Sequence, residues 1–279
     1  MSDSASRAHR LRFVPFNVAD EALISGPSAS ADTGPENLQV ASRSDVWRAA
    51  GDSTARLALS WTKSRQIGCV ALLRGNFSAT AQWRICAYFD DALVFDSGIS
   101  AVAPPKKLGE LDWGFDPLGA RAFGGAPPFG LYWLPRSVAC DCLLIDLWDA
   151  AKPEFFEAAR LVAGEVWIPD YNLSRGFGLT FSDLSKQSRA ADGTLRTDAG
   201  AKLRKLSIQL GNLSERDRSR LAEVIGRNGL VKDFLVSVSP QAGMRRAADY
   251  TLLAKFIRDI AQTQASHLRY AASIDLEEV

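Results

Sequence analysis

From Arg56 onward the chain is written in short apolar bursts separated by turn residues: RLALSW, IGCVALL, AQWRICAYF, ALVFDSG, CDCLLIDLW and ARLVAGEVWIP. Each burst has the length of a strand, and several alternate with period two, which sends successive side chains to opposite faces of a sheet. In AQWRICAYF, Ala81, Trp83, Ile85, Ala87 and Phe89 share one face, while Gln82 and Arg84 mark the other. IGCVALL is apolar on both faces and suits a central strand covered on both sides. From about Asp170 the pattern continues. FGLTFSDLS aligns Phe177, Leu179 and Phe181, KLSIQL aligns Leu206, Ile208 and Leu210, and DFLVSVS and YTLLAKFIRDI follow. In the final HLRYAASIDLEEV, Leu268, Tyr270, Ala272, Ile274 and Leu276 face one way and Arg269, Ser273, Asp275 and Glu277 the other. That is a half-buried antiparallel strand closing a sheet, so the C-terminus belongs to the core.

One segment has helical period. NLSERDRSRLAEVIGRNG offers Ser214 as N-cap, Asp217 three residues on, and an apolar stripe of Leu221, Val224 and Ile225. Gly226 or Gly229 would end it, giving a helix over about 214–228. Pro104 to Pro135 is too dense in Gly and Pro for helix or ladder and reads as a long ordered loop studded with aromatics, among them Trp113, Phe115, Phe123, Phe129, Tyr132 and Trp133. Residues 1–40, rich in Ser, Ala, Asp and Pro, read as an extended lead-in. The expected fold is therefore mainly β: two antiparallel β-sandwich domains, 41–168 and 169–279, the second with one helix, joined near Pro169.

Composition narrows the function. Hydrophobic residues at 47% and charged residues at 23% mark a chain that can bury a core. With 33 basic against 32 acidic residues, no overall field draws it to nucleic acid or an anionic membrane. Basic residues cluster in KKL near Lys106 and in KLRK from Lys202 to Lys205, while Arg216, Arg218 and Arg220 alternate with Glu215, Asp217 and Glu223 along the helix, the pattern of a solvated face or of inter-subunit salt bridges. The N-terminus lacks an apolar leader segment and no apolar run reaches the roughly 18 residues of a membrane span, so a cytoplasmic site of synthesis and no membrane insertion are expected. Cys69, Cys86, Cys140 and Cys142 lie in apolar runs, as small buried hydrophobes do.

Chemistry is sparse. The two histidines, His9 and His267, lie far apart, and there is no nucleophile elbow, phosphate loop or zinc-helix motif. No catalytic, cofactor or metal residues are assigned, and no enzyme activity is expected. Paired carboxylates remain the route open to a hydrolase, with Asp90, Asp91, Asp96, Asp141, Asp146 and Asp149 in or beside strands. Asp146 shares a strand face with Cys142, Leu144 and Trp148, and an Arg across the sheet is its expected partner.

Two stretches carry a resemblance. The first runs from SASADTGPENLQVASRSDVWRAAGD to WRICAYFDDALVFDSG. Its ENLQ segment, the VWRA turn around Trp47, the strand ending IGCVAL, the Asn76 loop and the WRI..Y strand followed by DSG resemble the galactose-binding-like (discoidin-like) jelly-roll of many phage tail proteins, over roughly residues 25–168. The second, from ARLVAGEVWIPDYNLSRGFGLTFSD through RKLSIQLGNLSERDRSRLAEVI to YAASIDLEEV, is similar to phage tail-tip proteins that build rings at the end of the tail tube. The resemblance implies a jelly-roll in 41–168 and a ring-forming sandwich in 169–279. It also implies a structural role in the tail tip or baseplate of a long-tailed phage, with localisation in the virion tail and homo-oligomeric and tail-protein partners. The alternative is a carbohydrate-binding module for host-surface recognition, with Trp113, Phe115 and Tyr132 as contact residues, because aromatic faces suit sugar rings.

Overall fold

The computed structural model describes residues 10–50, 53–78, 80–102, 109, 111, 113–114, 129–151, 154–174, 177–238 and 250–279. Among them the chain is mainly β, with antiparallel sheets in a β-sandwich, jelly-roll fold and one α-helix. The described residues divide into two compact units: residues 13–167, and residues 10–12, 168–238 and 250–279.

The short strand β1 (Arg12–Val14) spans the point where the chain enters the first unit. That unit continues with β2 (Leu23–Ser25), β3 (Trp47–Ala50), β4 (Thr54–Leu73), β5 (Gln82–Phe89), β6 (Ala92–Asp96), β7 (Ser100–Ala101), β8 (Gly130–Trp148), β9 (Phe155–Ala158) and β10 (Arg160–Gly164). Its main sheet runs β10-β4-β8-β5-β6, with β2 added to β4 and β7 to β5, while β3 and β9 form a separate ladder. The bursts RLALSW and IGCVALL, separate in the sequence pattern, are two halves of the single strand β4. Register shifts against β8 between Ser60 and Arg65 and between Ile67 and Cys69 absorb the polar residues that interrupt the alternation. Strand β8 likewise begins at Gly130, inside the stretch that the Gly and Pro content marked as loop. Pro135, which has no N–H to give a ladder, falls where the pairing jumps from Val138 to Trp133.

The alternation of β5 holds: Ala81, Trp83, Ile85 and Ala87 are buried, and only Phe89, at the turn, emerges. That turn is a two-residue hairpin in which Asp90 (φ 48°) and Asp91 (φ 60°) are both left-handed, as a tight hairpin requires. IGCVALL is buried throughout, as expected of a covered strand.

Residues 13–40 differ from an extended lead-in, because they are built into this unit. Ala19 and Leu38 are fully buried. Asn17 donates to the Leu161 carbonyl at 2.9 Å and accepts from the Ala163 N–H at 2.9 Å, so its amide extends the edge of β10 as a peptide would. Gln39 donates to the carbonyls of Ala19 and Ala22. Buried Arg160 forks onto Asp20 at 2.6 and 2.8 Å. Scattered polar residues gave no period to read, yet these four side chains fasten the segment.

The second unit contains β11 (Gly178–Asp183), β12 (Lys186–Arg189), β13 (Leu195–Asp198), β14 (Lys202–Leu213), the helix α1 (Glu215–Asn228), β15 (Phe234–Ser237), β16 (Thr251–Phe256), β17 (Gln262–Ser266) and β18 (Arg269–Glu278). Sheet order is β15-β16-β18-β14-β11, with β17 also on β18 and β12 paired with β13 alone. The helix matches its sequence signature. Ser214 accepts the Asp217 N–H, Leu221 and Val224 are buried, and Gly229 at φ 51° ends it. Strand β18 is interior to its sheet, and Ile274 and Leu276 are fully buried. It starts at Arg269, however. Leu268 (φ 55°) sits in the preceding turn and is exposed, so the apolar alignment of the last strand begins at Tyr270. Phe181 aligns with Leu179 as expected but is 72% exposed, on the strand that ends the sheet order among the described residues.

Candidate functional site

The outward face of the first unit's main sheet carries a constellation of paired charges. Register sets Arg56 of β4 opposite Asp146 of β8, and Asp146 opposite Arg84 of β5. Arg56 donates through Nε and Nη2 to the two oxygens of Asp146, at 2.5 and 3.1 Å. Arg84 makes the same fork with Asp96 of β6, at 2.9 and 2.5 Å. A row of alternating charge, Arg56, Asp146, Arg84, Asp96, therefore crosses four strands. The next row along holds Thr54, Trp148 and Gln82, cross-paired in the same way. Between these rows and Pro27 lies an open cavity of about 380 Å³, lined by Pro27, Thr54, Ala55, Arg56, Asp146, Leu147 and Trp148.

The electrostatics follow from the forks. Hydrogen bonding to Asp146 raises the affinity of the Arg56 guanidinium for its proton. Asp96 is held well below the usual carboxylate range, first by the Arg84 hydrogen bonds and then by the Gly98 N–H at 2.8 Å. Asp146, whose side chain is only 13% exposed, is thus a paired anion, and the partner expected across the sheet is Arg56. The face it shares with Trp148 is the solvent face and not core, since the buried side of β8 is Leu143, Ile145 and Leu147.

The other strand carboxylates serve the backbone or stand apart. Asp149 is buried, accepts the N–H of Ser78 at 2.7 Å and that of Ala151 at 3.2 Å, and also bonds the Ser78 hydroxyl. Asp141 accepts the Asp90 N–H at 2.9 Å. Among the described residues no group of three or more His, Cys, Asp and Glu side chains could hold a metal ion. Cys69, Cys86 and Cys140 are buried and Cys142 half-buried, all free thiols, and burial pushes Cys140 up to about 12. On the helix, Arg218 and Arg220 pair with Glu215 and Glu223. No described helix is long and apolar enough to cross a membrane.

The aromatic residues singled out from sequence separate. Trp113 is 87% exposed. Tyr132 lies in β8, partly buried against the core with its ring 6.1 Å from that of Phe95. Phe115 lies outside the described residues. Trp148 lines the cavity beside Pro27. Its signal was present in the alternation of DLW with Asp146, but nothing in sequence located Arg56, 90 positions away.

No family model and no curated protein matches the chain. Solved structures do, at low similarity. The crystal structure of SpGH29 is 12% identical with a TM-score of 0.39, over 54% of this chain and 28% of that one. Chitosan-binding module 1 from the chitosanase/glucanase of Paenibacillus sp. IK-5 is 10% identical with a TM-score of 0.37, over 54% of this chain and 99% of that one. The family 32 carbohydrate-binding module of C. perfringens NanJ, in complex with galactose, is 12% identical with a TM-score of 0.37, over 56% of this chain and 99% of that one.

Proposed function

We propose that the first unit is a non-catalytic carbohydrate-binding module whose site is the cavity beside Trp148. The observation that carries this reading is the conjunction on one sheet face of a half-buried indole with a carboxylate already held in place by a guanidinium fork. A sugar ring offers an apolar C–H face to an aromatic and hydroxyls to fixed donors and acceptors, and a shallow open cavity admits a chain end or branch. Side chains locked in their own ion pair lose little freedom on binding, which favours recognition. A glycan array of wild type and Trp148→Ala tests the reading. Signals that vanish in the variant support it, and a blank array for the wild type refutes it.

A second reading, a structural component of a phage tail tip, draws on the other unit. All eight residues of the β12–β13 ladder are exposed, and Phe181 projects from the open edge strand β11. An isolated two-stranded ladder is marginal in water and gains from being covered by a partner. In this reading the chain forms homo-oligomers or contacts other tail proteins through that edge. Sedimentation of the pure protein, alone and with tail-tube protein, checks it: a monomer without affinity for tail components would refute it.

A further inference from the structure

Resting on the carbohydrate-binding reading, we infer that the ligand is a neutral pyranoside with neighbouring free hydroxyls, and that sugars carrying carboxylate or ammonium groups are rejected. The argument is one of charge balance and geometry. The cavity is lined by one guanidinium and one carboxylate, Arg56 and Asp146, closed in a fork, and the Arg84–Asp96 fork continues the row on the same sheet face, so the formal charge of the row is zero. Each Arg commits Nε and Nη2 to its own acid, which leaves Nη1 outside the fork, while the oxygens of Asp146 keep lone pairs beyond those facing Arg56. A donor beside an acceptor at a fixed spacing is the complement of two adjacent hydroxyls, each of which both donates and accepts.

Trp148 and Asp146 are two positions apart on one strand face, about 7 Å, which is the span of a single sugar ring. The rest of that row is Thr54 and Gln82, uncharged residues that neither demand nor offset an ion.

An anionic sugar placed on Trp148 would lie against Asp146, and the cation that lines the cavity, Arg56, already has its charge balanced by that acid. An ammonium sugar would meet Arg56, whose side chain is 65% exposed at the cavity, and the charge of Asp146 is already balanced by that guanidinium. Either ion would shed water without gaining an unpaired counter-charge, which is unfavourable. A hydroxylated neutral ring asks neither fork to open.

The test titrates the full chain with three sets of soluble oligosaccharides, followed by calorimetry and by tryptophan fluorescence. The sets are neutral galacto- and gluco-oligosaccharides, sialylated or uronate-containing ones, and chitosan oligomers. Expected is saturable binding by the neutral set alone, unchanged between about 0.05 and 0.5 M salt because no net ion pair forms. Trp148→Ala should weaken it on the order of tenfold or more, with partial recovery in Trp148→Phe. Asp146→Asn, which frees Arg56, should shift preference toward the anionic set. Tighter wild-type binding of either charged set, lost at high salt, would overturn the neutral-ligand inference while leaving carbohydrate binding intact. Binding of none of the three sets would instead remove the carbohydrate reading itself, and this inference with it. A thermal melt of each variant separates lost binding from lost fold. If Trp148→Ala does not fold, the salt profile and the three-set comparison on the wild type still decide.

Discussion

Arg160 and Asp20 offer an asymmetric test of how residues 13–40 are held. The Arg160 side chain is 3% exposed and that of Asp20 is 36% exposed, with the fork between them at 2.6 and 2.8 Å. Truncating the acid, Asp20→Ala, takes the charged fork away from a guanidinium where water hardly reaches, while the Leu38 carbonyl at 3.4 Å stays among its contacts. Loss of one partner from a buried pair costs about 3 to 5 kcal/mol, and the partial exposure of Asp20 places this case near the lower end, about 3 kcal/mol. Replacing the cation instead, Arg160→Met, keeps most of the buried volume and leaves Asp20 able to meet water and the Asn17 amide at 2.8 Å. That change should cost about 1 kcal/mol or less. All seven tryptophans lie between Trp47 and Trp167, so their fluorescence follows the unfolding of the first unit alone. With a urea dependence of about 2 kcal/mol per molar, the midpoint should fall by about 1.5 M in Asp20→Ala and by about 0.5 M in Arg160→Met. Equal losses, or a larger loss in Arg160→Met, would refute the claim that burial of the cation sets the cost.

Three further outcomes are expected. Ser214→Ala removes the hydroxyl that accepts the Asp217 N–H at 3.2 Å and should destabilise the second unit by about 1 kcal/mol, read by far-UV circular dichroism through a denaturant titration. The folded-state pKa of Asp96 is depressed, so its stabilising contribution is complete above the usual carboxylate value near pH 4 and fades as pH falls below it. A carboxyl-carbon NMR titration should place the Asp96 midpoint below the ordinary range in wild type and return it toward that range in Arg84→Met. Finally, burial holds the thiols of Cys86, Cys140 and Cys142 protonated above their ordinary range, so iodoacetamide at about pH 8 should leave them unmodified in the native protein and label them readily in urea.

The sequence by itself determined the central strands, the helix and the buried faces of those strands. Those properties are written in local period: the alternation of Trp83, Ile85 and Ala87, the unbroken IGCVALL, and the Ser214 cap with its apolar stripe need no distant residue to be read. Tertiary structure alone decided what joins to what. The fusion of two bursts into the single strand β4 depends on bulges paired against β8, and a bulge looks like a turn when its partner strand is unknown. The anchoring of residues 13–40 depends on Arg160, Leu161 and Ala163, more than a hundred positions away from the residues they hold. The candidate site has the same origin. Trp148 and Asp146 are neighbours in sequence, but Arg56 reaches them only through the register of β4 on β8, and Arg84 only through that of β5. Register is a property of the assembled sheet, set by burial of the opposite face, and a one-residue slip would turn the whole charged row inward.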